Sequence, residues 1–88
     1  MARIAFGQRQ FDESRSVFTA VSLVLAELPK RLKLCASEIV MRGSSAEYEE
    51  WIVLEVSSKD GQSAQSCIDW ISKQITRRGF AIVPMDQL

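Results

Sequence analysis

Two cysteines, two groups of carboxylates and one serine-rich loop are where chemistry could reside in this 88-residue chain. Cys35 and Cys67 are the only thiols, and there is no histidine. Without an imidazole the chain lacks the commonest base for activating a Ser or Cys nucleophile, and it cannot build the common Cys/His zinc sites. The two thiols form no C-x-x-C motif and read as half-buried or buried free cysteines in a reducing compartment; a disulfide is the alternative and requires Cα atoms within about 7 Å. Glu47, Glu49 and Glu50 sit together, as do Asp12 and Glu13. Paired carboxylates can share acid and base roles, but beside a turn or a helix start they read first as solvated faces or caps. Ser57 to Ser63, SSKDGQS, leads into a helix N-terminus, where free N–H groups attract anions. It has one glycine, no G-x-x-x-x-G-K-[ST] spacing, and an acidic Asp60 that would repel phosphate. It reads as an ordinary capped loop. No catalytic, metal or cofactor residue is assigned, and no cofactor is expected.

Arg78-Gly79-Phe80-Ala81-Ile82-Val83 partly resembles the RNA-recognition signature R/K-G-F-G/A-F-V. In that family the motif occupies an earlier strand, whereas here it is the last one. Ile82 stands where the second stacking aromatic belongs. Gly79 is then read as a helix cap and Phe80 as core.

Eleven basic and eleven acidic residues cancel, which argues against non-specific binding to nucleic acid or to a membrane surface. Val17 to Leu28, the longest apolar-rich run, is too short to span a bilayer and is interrupted by Glu27. MARIAFGQRQ carries no signal-peptide core. A cytoplasmic location without membrane contact is the expectation, with the whole chain, residues 1–88, as one domain.

The strongest strand signal is Glu49 to Val56, EEWIVLEV. Ile52, Leu54 and Val56 share one side, and Trp51, Val53 and Glu55 the other. Ala2 to Phe6 is a short strand. Asp12 is an N-cap candidate for a helix over residues 13–28, with Val17, Val21, Val24 and Leu28 on its inner stripe, flanked by Phe18, Ala20 and Leu25 on the same broad face, and Pro29 ending it. Leu32 to Arg42 reads as a strand whose alternation changes phase, so a β-bulge is expected near Ser37 or Glu38. Gly43 to Ala46 is the expected turn into the strong strand. Ser63 is an N-cap candidate for a second helix with Ala64, Ile68, Ile71 and Ile75 inward, Cys67 beside them and Trp70 at the margin. Gly79 closes that helix, and Phe80 to Val83 is an edge strand stopped by Pro84.

The order β-α-β-β-α-β predicts an α+β fold, the ferredoxin-like two-layer sandwich: a four-stranded antiparallel sheet, strand order 4-1-3-2, with two helices on one face. The opposite sheet face would show Trp51, Val53, Ala5, Ala81, Val83 and Met85, with Arg3 and Glu55 its charges. An apolar patch of that kind marks an interface, and Trp is enriched at interface hot spots. Leu23 and Trp70, off or at the edge of the buried helix stripes, are secondary contact candidates. The expected function is a non-enzymatic protein-interaction or self-assembly domain, as a homodimer or with a protein partner, regulatory or a subunit of a larger complex. A nucleic-acid-associated protein, with Trp51 as stacking platform beside Arg3, Lys33 and Arg42, is the alternative. A small-ligand-sensing regulatory domain is a second.

Overall fold

The computed structural model describes residues 2–8, 16–46 and 49–84, with residues 44–46, 49 and 50 described as backbone only. In chain order the elements are β1 (Ala2–Gln8), α1 (Val17–Ala26), α2 (Lys30–Cys35), β2 (Ala36–Ala46), β3 (Glu49–Ser58), α3 (Gly61–Arg77) and β4 (Ala81–Val83). The strands form one antiparallel sheet in the order β2-β3-β1-β4. Helices α1 and α3 pack on one side of it, which makes the architecture α+β.

Alternation along β3 sets this arrangement. Ile52, Leu54 and Val56 are buried and pair with Phe6, Ile4 and Ala2 of β1. Above them lie Val17, Ala20, Val21 and Val24 of α1 and Ala64, Cys67, Ile68, Ile71 and Ile75 of α3. Complete burial of a side chain such as Leu54 contributes about 1.5–3 kcal/mol relative to exposure. Both inward stripes read from the sequence therefore meet the strand faces assigned to them.

Helix boundaries differ from expectation because other residues make the caps. Ser16, extended at φ −74° and ψ 128°, accepts a hydrogen bond from the Thr19 N–H at 3.3 Å and begins α1. The expected cap, Asp12, lies outside the described residues. The helix ends at Ala26; the Glu27 N–H still donates to Leu23 and Val24 carbonyls, and Leu28 folds inward beyond it, 5% exposed. For α3 the cap is Asp60, three residues before the expected Ser63. Its carboxylate accepts from the Ser63 N–H at 2.7 Å and from the Ser63 hydroxyl at 3.0 Å. Ser63 is thus the capped residue. Gly79, at φ 90°, takes the left-handed conformation that follows the helix, as a glycine there should.

The largest correction falls on Leu32 to Cys35, expected as strand and found in α2. Pro29 precedes the first turn with its carbonyl accepting from Leu32 and Lys33 N–H groups at 2.9 and 3.1 Å. A four-residue alternation cannot distinguish period 2 from a single helical turn. Burial decides for the turn: Leu32 enters the core and Leu34 is 77% exposed. The element order is therefore β-α-α-β-β-α-β and not the expected β-α-β-β-α-β.

Strand β2 then begins at Ala36, and the register slips between Ala36 and Glu38, where the bulge was expected. Past the bulge, Ile39 and Met41 pack against the core. Gly43 to Ala46 were expected as a turn and are instead strand, continuing the ladder to the pair Ala46 and Glu49. Gly43 suits that place, because a Cβ there would lie 3.2 Å from Ile52 Cγ1 and 3.3 Å from the Trp51 carbonyl oxygen. Phe80 is core, as expected. Ile82 stands opposite Phe6 on the helix side, yet on the short edge strand β4 it stays 50% exposed and adds little to the core.

Candidate interaction face

Backbone register assembles the helix-free face in three rows. Trp51 of β3 stands opposite Gly7 of β1, which stands opposite Ala81 of β4. The next row runs Arg42, Val53, Ala5, Val83 across all four strands. The third runs Val40, Glu55, Arg3. Val40 was not among the expected contact residues, and Arg42 was expected beside Trp51 only in the nucleic-acid alternative. The signal that places them is the bulge, since the change of phase it causes turns Glu38, Val40 and Arg42 to this side.

Exposure is uneven over the face. Ala5 is 0% exposed and Val53 9%, so its centre is shielded; Ala5 stands between two valines. Trp51, Val83 and Val40 are half-buried, and Ala81 is exposed. Accessible apolar surface is therefore concentrated toward the margins, with Trp51 its largest side chain. Met85 lies outside the described residues. Arg3 and Glu55, the two charges on the central strands, lie across from each other with Arg3 Nε 3.7 Å from Glu55 Oε1. Each neutralises the other within the patch.

The secondary candidates separate. Trp70 is half-buried against the core from α3, as its place at the stripe margin implies. Leu23 is 53% exposed on α1; Phe18, expected on the inner face of that helix, is 51% exposed, because the stripe that packs into the core is Val17, Ala20, Val21 and Val24. Lys33, grouped with Arg3 and Arg42 in the nucleic-acid alternative, lies on α2 and not on a strand of the sheet.

Other groups with chemical potential have structural surroundings. Cys67 is buried, and its thiol donates to the Leu32 carbonyl at 3.5 Å, tying α3 to α2. Burial pushes this thiol above the usual range, and nearby Cys35 adds to the effect. A raised thiol is a poor nucleophile at neutral pH. Both cysteines are free, but Cys35, expected at least half-buried, is exposed at the end of α2. At the start of α3 the Asp60 carboxylate occupies the helix N-terminus where an anion would bind. The Ser63 N–H and hydroxyl hold its carboxyl below the ordinary range. Asp12, Glu13 and Glu47 lie outside the described residues, and the side chains of Glu49 and Glu50 are not described.

Among the described residues, no three His, Cys, Asp or Glu side chains cluster in a way that could hold a metal ion. No helix among them is long and apolar enough to cross a membrane. No protein-family model matches the chain, and neither the curated proteins nor the solved structures provide a significant match.

Proposed function

We propose that this chain is a non-enzymatic interaction domain of ferredoxin-like plan that self-associates through the helix-free face of its sheet. The strand order β2-β3-β1-β4, read from the other edge as 4-1-3-2, supports that plan, with α2 as an insertion before β2. The observation that carries the functional reading is the composition of the face. Trp51, Val53, Ala5, Val83 and Ala81 lie together by register, and the central-strand charges are paired with each other. Pairing lowers the cost of taking the two central charges out of water, and apolar area gains about 25 cal/mol per Å² on burial before association costs.

A second copy is the simplest occupant, because a two-fold axis lets one patch serve both partners. Trp51 is the anchor: a large half-buried aromatic at the margin of a shielded apolar centre. Val53 and Ala5 act as the floor beneath the contact. Sedimentation of the wild type beside Trp51→Glu tests this reading. The wild type should be an oligomer and the variant should have half its mass; equal masses for two folded proteins would remove it.

A further inference from the structure

The two edges of the sheet are built differently. Strand β4 spans three residues and is followed by Pro84, which has no N–H to offer. Strand β2 spans 11 residues, contains no proline or lysine, and among the described residues pairs only with β3. A long edge strand leaves a row of N–H and C=O groups ready to accept another strand, unless charge, proline or a bulge prevents it. The bulge of β2 is confined to its beginning, between Ala36 and Glu38, and the ladder beyond is regular.

We propose that the outer edge of β2 pairs antiparallel with β2 of a second copy, about a two-fold axis at Val40. The charges favour this register. With Val40 opposite its own copy, Glu38 stands opposite Arg42 of the other chain, and Arg42 opposite the other Glu38. Both residues are exposed, and both lie on the helix-free side with Val40. Opposite charges directly across an antiparallel pair stabilise it, and like charges destabilise it. An axis at Glu38 would set two glutamates face to face, and one at Arg42 two arginines.

On the helix side the same register sets Ile39 opposite Met41 of the second copy. Both are partly buried against the core, so the apolar layer continues across the axis. The result is a continuous eight-stranded sheet with helices on one side. The edge contact is made by the outer backbone groups of β2, although Glu38, Val40 and Arg42 also project on the helix-free side; its axis is perpendicular to the sheet, so it is compatible with the Trp51 contact in a closed tetramer.

The test uses the full chain carrying Trp51→Glu, which removes the face contact and leaves the edge. Sedimentation of this variant at high protein concentration should give a dimer. Adding Arg42→Glu, which creates two glutamate–glutamate pairs across the axis, should halve that mass. Adding Glu38→Arg as well exchanges the charges and should restore the dimer. If Arg42→Glu alone does not fold, Glu38→Arg alone takes its place, because two arginine pairs repel equally. A monomeric Trp51→Glu parent, a mass unchanged by charge reversal, or a double exchange that remains monomeric would each overturn the proposal. The face reading fails separately, if Trp51→Glu has the same mass as the wild type.

Discussion

Strand β3 has two sides with different jobs. Ile52, Leu54 and Val56 are sealed beneath α1 and α3 and connect the sheet to the helices. One residue out of step, Trp51, Val53 and Glu55 belong to a face on which neither α1 nor α3 packs. Both sides are largely apolar, but only the first is fully used by the chain's own helices. The difference shows that apolar character in a strand sets burial without saying against what. On one side the sequence specifies a fold, and on the other we propose a partner.

Substitutions on the two sides should therefore separate stability from association. Leu54→Ala deletes a fully buried side chain and should cost about 2–5 kcal/mol, read as a lower urea midpoint. A cost under about 1 kcal/mol, as at ordinary surface sites, would mean the core is not centred on β3. Ser16→Ala removes the α1 cap and should cost about 1 kcal/mol, again without changing the mass of the folded protein. Across the sheet, Glu55→Gln discharges the pair with Arg3. Since Arg3 is about half exposed, at 53%, stability should fall by no more than about 1 kcal/mol.

Two further measurements distinguish the sealed layer from its surroundings without altering the sheet. An alkylating reagent should modify exposed Cys35 in the native protein and Cys67 only after unfolding. Equal rates would show that α2 does not stay packed over Cys67. The Asp60 cap should give α3 a mild acid dependence. Its carboxyl lies below the ordinary value in the folded protein, so its contribution is complete above that value and lost as pH falls through the folded one. Urea midpoints measured down this acid range should decline less steeply for Asp60→Asn than for the wild type.

Much of the fold could be read from residue patterns. The β3 alternation, the inward stripe of α3, the Gly79 closure and the bulge before Glu38 all follow from local periodicity or a backbone requirement. What could not be read depended on competition between short signals. Leu32 to Cys35 fits either period over so few residues, and only the core position of Leu32 selects a helical turn. Gly43 and its serine neighbours have turn chemistry, yet cross-strand pairing with Trp51 and Ile52 keeps them in the ladder. Asp60 and Ser63 both suit a cap; Asp60, extended, takes the role, its carboxylate bonded to both the N–H and the hydroxyl of Ser63. For the candidate face, register and phase identified Trp51, Val53 and Ala5 together. The alternation could not say that Ala5 would be fully shielded while Trp51 stays half-buried, because period 2 assigns a side and not an exposure.

The most direct test of the proposed function is the sedimentation mass of the wild type against Trp51→Glu, with circular dichroism to confirm that both are folded. The expected result is an oligomeric wild type and a folded variant of half its mass. A wild-type monomer, or a folded variant that keeps the wild-type mass, would contradict self-association through this face.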